Sequence, residues 1–237
     1  MHKYSNIVIL TGAGISAESG IRTFRASDGL WEEHRIEDVA TPEAFARDPK
    51  LVQRFYNMRR QPLLDNEVAP NAAHYAIAEL QKKHSGNVTL VTQNIDNLHE
   101  QGGSEDVMHM HGEILKIRCC VTGKVFSCQR SVTIADKCDC CDEAGNLRPH
   151  IVWFGEMPLL MEEIYQALEK CDLFVAIGTS GNVYPAASFV QFANQVGANS
   201  LEINLERSNM ASEFEKAMYG KATEMVPNWV AKVLDYA

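Results

Sequence analysis

The feature that most constrains this chain is a continuous apolar run that leads straight into glycines. Ile7-Val8-Ile9-Leu10 is followed, after Thr11, by Gly12-Ala13-Gly14-Ile15-Ser16-Ala17. An unbroken apolar run suits a strand covered on both faces, as in a parallel sheet. Glycines directly after it let the backbone turn tightly and approach a pyrophosphate. A helix that follows offers its N-terminal N–H groups to the same anion. The pattern is G-x-G-x-x-A in the context a dinucleotide loop requires, although a tight turn in any α/β protein could carry it. An acidic residue at the end of a second strand, roughly 20 residues on, is expected in an ordinary dehydrogenase. Here the chain continues Glu18-Ser19-Gly20-Ile21-Arg22-Thr23-Phe24-Arg25 instead.

Further strands are expected at Val88–Thr92, Leu173–Ile177 and Leu201–Leu205. Helices are expected between them. Asn71 can cap His74–Lys83, and Ser85-Gly86-Asn87 stops it. Glu162–Cys171 is similar, and Pro185 and Pro227 each mark a first helical turn. This alternation predicts a doubly wound, Rossmann-like α/β domain with a parallel sheet. Two stretches depart from it. Residues 26–65 read as helical and without a strand, and the stretch from Cys119 to about Asn146 reads as a small Cys-rich module. The expected organisation is a single domain over 1–237. Its large lobe takes about 1–25, 66–112 and 147–237, with a helical insert at about 26–65 and the Cys-rich module at about 113–146.

A formal net charge of -9 repels phosphate backbones and argues against nucleic acid as a direct ligand. No apolar run approaches the ~20 residues of a membrane helix. The first strand starts too close to Met1 for a signal or transit peptide, so a soluble cytoplasmic protein is expected. Six of seven cysteines lie between Cys119 and Cys141, a clustering that points to metal before disulfides.

Two more motifs carry chemistry. Thr92-Gln93-Asn94-Ile95-Asp96 closes a strand, where open sheets bind ligands. His109-Met110-His111-Gly112 offers two candidates for a general base. With GAGIS, FR, TQNID and HG in this order, the chain resembles the sirtuin family from Ile7 to about Val230. Later segments fit the same resemblance: Val152-Trp153-Phe154-Gly155-Glu156, Gly178-Thr179-Ser180 and Asn204-Leu205-Glu206. The branch it is most similar to is the bacterial-type deacylases with Tyr-x-x-Arg, here Tyr56-Asn57-Met58-Arg59.

The resemblance implies an NAD-consuming protein-lysine deacylase. It assigns the phosphate loop to Gly12, Ala13, Gly14 and Ile15, and the loop over the nicotinamide ribose to Phe24 and Arg25, with Trp31 nearby. Gln93, Asn94, Ile95 and Asp96 would hold ribose and nicotinamide, with Asn94 also catalytic. Gly178, Thr179, Ser180, Asn204, Leu205, Glu206 and Ala222 would hold the adenosine half. The implied chemistry breaks the glycosidic bond to nicotinamide, and the acyl oxygen of an acyl-lysine captures the ribose. His111 takes a proton from a ribose hydroxyl, giving lysine, nicotinamide and O-acyl-ADP-ribose. His111 is the implied base because it precedes Gly112, and His109 is expected to pack or face solvent. Val152, Phe154, Gly155 and Glu156 would pair with an extended acyl-lysine peptide, flanked by Gly181, Asn182 and Val183.

The cysteines depart from the family's two CxxC pairs. Cys138 and Cys141 form one pair, but Thr122 stands three residues after Cys119. A structural zinc on Cys119, Cys138 and Cys141 is expected, weak or partly filled, with Cys128 as a fourth ligand or the module left as free thiols. Tyr56 and Arg59 are spaced i,i+3 and share a helical face. In the family branch that face reads a carboxylate on the acyl chain, so succinyl- and malonyl-lysine are expected substrates beside acetyl-lysine. Two rival readings use the same cleft. One is ADP-ribosyl transfer or NAD hydrolysis, and the other is an NAD-sensing module without turnover.

Overall fold

The computed structural model describes residues 4–21, the backbone of 30–31, and residues 34–235. In chain order the elements are β1 (Asn6–Thr11), β2 (Leu30–Trp31), β3 (His34–Arg35), α1 (Ile36–Val39), α2 (Pro42–Arg47), α3 (Pro49–Leu64), α4 (Ala72–Lys83), β4 (Asn87–Thr92), α5 (Leu98–Gln101), β5 (Met108–His109), β6 (Gly112–Cys119), β7 (Val125–Ser127), β8 (Leu147–Ile151), α6 (Met161–Glu169), β9 (Leu173–Ile177), α7 (Phe189–Gln195), β10 (Asn199–Asn204), β11 (Lys216–Tyr219) and α8 (Ala222–Asp235).

The apolar runs build a six-stranded parallel sheet in the order β11-β10-β9-β1-β4-β5. Alternate residues of β1 serve opposite faces, as strand geometry demands. Ile7 and Ile9 pack with Ile77, Leu80, Val226 and Trp229 of α4 and α8. Val8 and Leu10 pack with Ile164, Leu168 and Phe189 of α6 and α7. This is the doubly wound arrangement the sequence predicts. From β1 the chain moves outward to β4 and β5, then returns to β9 on the other side of β1 and continues to β10 and β11, so the strand order reverses beside β1 and a crevice opens there at the carboxyl ends of the strands.

Asn71 caps α4 as expected. Its Oδ1 accepts from Ala73 N at 2.9 Å, while Asn71 N donates to His74 Nδ1 at 3.2 Å. Three local expectations fail. The glycine loop leads into two single 3-10 turns, Ala13–Ile15 and Ala17–Ser19, and not into an α-helix. The insert contains a two-residue hairpin, β2 with β3. Pro227 lies within α8, which starts at Ala222 because Glu18 accepts from Thr223 N and Oγ1 and so satisfies the first turn. Pro185 does precede a helical turn, a 3-10 segment that runs into α7.

The second sheet is antiparallel, ordered β7-β6-β8, and carries the cysteines. It docks on α3 through a polar stripe. Gln53 Nε2 donates to Leu147 O at 2.6 Å, Asn57 Nδ2 to Val132 O at 2.7 Å, and Arg60 Nε to Ile114 O at 2.8 Å. Among the described residues no helix is long and apolar enough to cross a membrane.

Candidate active site

The carboxyl ends of β1, β4, β9 and β10 open into a cleft of about 1070 Å³. Most residues singled out in the sequence line it. Gly12, Ala13 and Gly14 do so after β1, Gln93 to Asp96 after β4, Gly178 to Ser180 after β9, and Asn204 to Glu206 after β10. His111, Val152, Phe154, Gly155, Glu156, Asn182, Val183, Ala222 and Tyr56 complete the set. Two lie behind the wall. Ile15 is in the core, and Gly181 is buried with φ +72, where an added Cβ would meet Met210 Cγ at 2.9 Å. Phe24, Arg25 and the side chain of Trp31 lie outside the described residues. Arg59 is not among the described lining residues.

The loop glycines are needed for close backbone approach between strands. A Cβ on Gly12 would come within 2.8 Å of Gly178 O, and one on Gly14 within 2.6 Å of Gly178 Cα. Gly178 itself has φ +62. Gly12 N donates to Ile177 O, Gly14 N to Gly178 O, Ile15 N to Gly12 O and Ser16 N to Ala13 O. Ala13 N makes no such bond among the described residues, and Ala13 is part of the cleft lining.

His111 is oriented by the main chain. Its Nδ1 is 3.0 Å from Gln93 O, and a carbonyl only accepts, so Nδ1 carries the proton and Nε2 keeps a lone pair. Burial lowers its pKa below the usual 6.5, against a smaller opposing effect of the Gln93 bond. His109 behaves differently. It is buried, and although burial alone would lower its pKa, the Glu100 carboxylate 2.6 Å from Nε2 leaves it raised. His109 packs, as expected.

Behind the cleft lies a polar layer that the sequence reading missed. Ser16 Oγ donates to Asp96 Oδ2 at 3.2 Å and accepts from Asn94 Nδ2 at 3.1 Å, with His74 Nε2 at 3.4 Å. Burial raises the Asp96 carboxyl pKa, although Leu98 N and Ser16 oppose it. Ser16 was visible inside GAGIS, but only the fold brings it beside residues eighty positions away. On the far side Asn204 Nδ2 donates to Thr179 O at 2.8 Å, and Gln93 Nε2 to Thr179 Oγ1 at 3.2 Å.

The Val152–Glu156 segment leaves β8 as an irregular turn. Its N–H groups at Val152, Trp153, Phe154 and Glu156 are bonded to His111 O, Glu156 Oε2, Ala40 O and Trp153 O. Gly155 N makes no main-chain hydrogen bond among those of the described residues, whereas Trp153 O is already taken by Glu156 N. Glu156 pairs with Arg148 in two contacts, Oε1 at 2.7 Å and Oε2 at 2.9 Å, and with Arg118 at 3.0 Å. Tyr56 lines the cleft from a fully buried position, and its hydroxyl accepts from Trp153 Nε1 at 2.9 Å. Arg59 Nη1 donates to Phe55 O at 2.7 Å, and its guanidinium carbon lies 3.2 Å over the Phe55 ring.

In the second sheet the sulfurs of Cys119, Cys138 and Cys140 lie within 4.8 Å of one another. Cys141 Sγ is 3.8 Å from Cys119 Sγ. Cys140 was not expected as a ligand, since Cys-x-Cys-Cys at 138–141 was read as one CxxC pair. Cys128 Sγ instead donates to Arg130 O at 3.2 Å. Thr122 takes the place of a second cysteine beside Cys119. Its side chain and N–H hydrogen-bond the thiol and lower its pKa to about 6. Gathered thiols with one readily ionised member are a donor set that fits tetrahedral zinc.

Residues 12–185 match the Sir2 family. A protein of Pasteurella multocida named NAD-dependent protein deacylase is 61% identical over 234 residues, 99% of this chain and 100% of the relative. One of Vibrio parahaemolyticus with the same name is 62% identical, covering 98% and 96%. Among solved structures, a Sir2 homologue–NAD complex superposes with TM-score 0.89 at 38% identity, covering 98% of this chain and 91% of that one. A Sir2–p53 peptide–NAD+ complex superposes with TM-score 0.81 at 27% identity, covering 97% and 94%.

Proposed function

The chain belongs to the Sir2 family, and from that premise we propose that it is an NAD-dependent protein-lysine deacylase acting on acetyl-, succinyl- and malonyl-lysine, with O-acyl-ADP-ribose as product. The observation that carries the reading is the orientation of His111: its proton is on the nitrogen facing Gln93 O, and its basic nitrogen is left for the cleft. A pure NAD sensor needs no such base.

The cleft fits a dinucleotide. Its volume of about 1070 Å³ lies just above the roughly 300–1,000 Å³ usual for small-molecule sites. Ala13 N, beside the two glycines, fits a pyrophosphate. When bound, NAD supplies an activated glycosidic bond whose leaving group is nicotinamide. Asn94 and Asp96, fixed through Ser16, would hold ribose and amide groups; Thr179, Ser180 and Asn204 would hold the adenosine half. His111, neutral near pH 7, would remove a proton from a ribose hydroxyl, a role worth typically ~10²–10⁴-fold. Gly155 N and the main chain at Val152 would align an extended peptide beside Phe154 and Glu156, with Asn182 and Val183 across from them. The carboxylate-reading end would be Tyr56 with Arg59, and a structural zinc would sit on the cysteine cluster, remote from the chemistry. Use of NAD as a substrate supports the reading of a cytoplasmic enzyme.

The test is incubation of the protein with NAD and matched acyl-lysine peptides, read by mass spectrometry. Equal release of nicotinamide and deacylated peptide, only with both substrates present, is expected. Nicotinamide release indifferent to peptide would instead establish NAD hydrolysis or ADP-ribosyl transfer.

A further inference from the structure

Asn94 lies two residues past the end of β4, and side chains alone hold its main chain. Among the described residues Asn94 N donates to Thr92 Oγ1 at 3.0 Å, Asn94 O accepts from His109 Nδ1 at 3.2 Å, and neither group makes a main-chain bond. Thr92 and His109 are both buried, and both lead to α5. Thr92 Oγ1 lies 2.8 Å from Thr11 Oγ1, which lies 2.9 Å from His99 Nε2. His109 Nε2 lies 2.6 Å from Glu100 Oε1. His99 and Glu100 are adjacent on α5, so one short helix supports both ends of the Asn94 clamp.

His109 faces an acceptor at each ring nitrogen. A carbonyl and a carboxylate only accept, so both nitrogens carry protons and the ring is an imidazolium. A neutral ring would have one proton for two acceptors. The carboxylate, as the stronger acceptor, would take it and leave the Asn94 carbonyl facing a lone pair. Burial opposes the charged form, and Glu100 and Glu113 of β6 favour it. Asp96 and His99 are the other titratable groups that feel its charge.

We propose that His109 is a positioning residue for NAD binding: as a doubly protonated bridge between Glu100 and the Asn94 carbonyl, it fixes the Asn94 peptide and with it the position from which the Asn94 side chain meets NAD. The inference rests on the proposed reading of Asn94 as a residue that holds NAD, and adds to it what holds Asn94. Ser16 fixes only the outer end of that side chain, at Nδ2, while the bond to the carbonyl fixes its root. Asn94 lines the cleft and His109 does not, so His109 acts through Asn94 and touches no substrate.

The experiment compares His109→Asn with His109→Leu. Asparagine sets an amide N–H near the place of Nδ1, and leucine has a similar size and no donor. Both leave Glu100 without its cation, so the difference between them isolates the bond to Asn94 O. NAD affinity is measured by calorimetry without peptide, and kcat and KM for NAD with an acyl-lysine peptide. His109→Leu is expected to weaken NAD binding roughly 3- to 10-fold, the range one hydrogen bond spans, with KM for NAD rising alongside and kcat changing less. His109→Asn is expected to stay within about twofold of the wild type. Ring 15N resonances at about pH 7, where an ordinary imidazole is mostly neutral, should show both His109 nitrogens protonated. Equal weakening in the two variants, unchanged affinity in His109→Leu, or a bare His109 nitrogen overturns the proposal. If the wild type binds no NAD, the reading of the cleft fails and the proposal with it; if it binds NAD without deacylating, the calorimetric comparison decides alone. Should His109→Leu not fold, His109→Gln takes its place, because its longer side chain sets the amide near the place of Nε2, toward Glu100.

Discussion

His111 Nδ1 donates to the carbonyl oxygen of Gln93 at 3.0 Å, while two residues earlier His109 is paired through Nε2 with Glu100 at 2.6 Å. One imidazole is oriented by a neutral acceptor and faces the cleft; the other is tied to a carboxylate and buried. His111→Ala is expected to lose at least roughly 10²-fold in kcat while still binding NAD. His109→Ala is expected to retain substantial turnover, with a loss of thermal stability. Turnover and NAD binding by calorimetry check both, and a reversal would move the base to His109.

The pH dependence of activity follows from the same site. Burial lowers the His111 pKa below 6.5. A base must be unprotonated, so kcat/KM should hold steady at neutral pH and fall only as pH drops through that lowered value. An acid limb centred above 6.5 would mean that another group controls the reaction.

Stability should fall with acid for a separate reason. Burial lowers His74 to about 4 and His99 well below 6.5. The unfolded chain then binds protons the folded chain refuses, so stability is present above about 6.5 and is lost as pH falls toward about 4. The slope approaches roughly 1.4 kcal/mol per pH unit for each histidine. Urea midpoints at pH 7, 6 and 5 measure it, and His74→Gln should flatten the curve.

β1, β4, β9 and β10 were legible because each carries an apolar run that the sheet buries, and α4 because Asn71 and its own apolar face announce it; β5, of two residues, and the largely exposed β11 carry no such run. What escaped depends on distance. Glu18 caps α8 from 205 residues away, so the start of that helix could not be read from Pro227. Ser16 lay in a recognised motif but gains its partners Asn94 and Asp96 only through the sheet. Trp153 looked like part of a peptide-pairing strand, and its N–H instead serves Tyr56, 97 positions earlier. Cys140 was overlooked because CxxC spacing selects positions 138 and 141, while the turn there also brings Cys140 within 4.8 Å of Cys119 and Cys138.

That turn makes the metal ligands testable. Cys140→Ser should lower zinc retention sharply, since its sulfur lies with Cys119 and Cys138. Cys128→Ser should retain zinc, because its thiol is turned to Arg130 O. Metal analysis after purification and the thiolate-to-metal charge-transfer band of the cobalt-substituted protein read the two variants. Loss of zinc from Cys128→Ser with retention in Cys140→Ser would reverse the assignment.

Acyl selectivity is the sharpest expectation, and substitution of Arg59 tests it. In the described contacts its guanidinium bonds Phe55 O at 2.7 Å and stacks on the Phe55 ring, so it is held within one turn of Tyr56 on the same helix. A main-chain carbonyl is a weaker partner for a guanidinium than a carboxylate, which the planar fork meets with two parallel bonds. A succinyl or malonyl terminus would therefore draw Arg59 from Phe55 O toward Tyr56, while an acetyl chain leaves it in place. A hydrogen bond to a charged group contributes about 1.5–3 kcal/mol, and a buried carboxylate without a partner costs more. Arg59→Met is thus expected to cut kcat/KM for desuccinylation at least roughly tenfold, as ~1.4 kcal/mol is one decade. Deacetylation should change much less, and Tyr56→Phe should act in the same direction more mildly. Matched succinyl and acetyl peptides measured on the wild type and both variants settle the matter. Equal losses on the two peptides would mean that Arg59 serves α3 through Phe55 and reads no carboxylate.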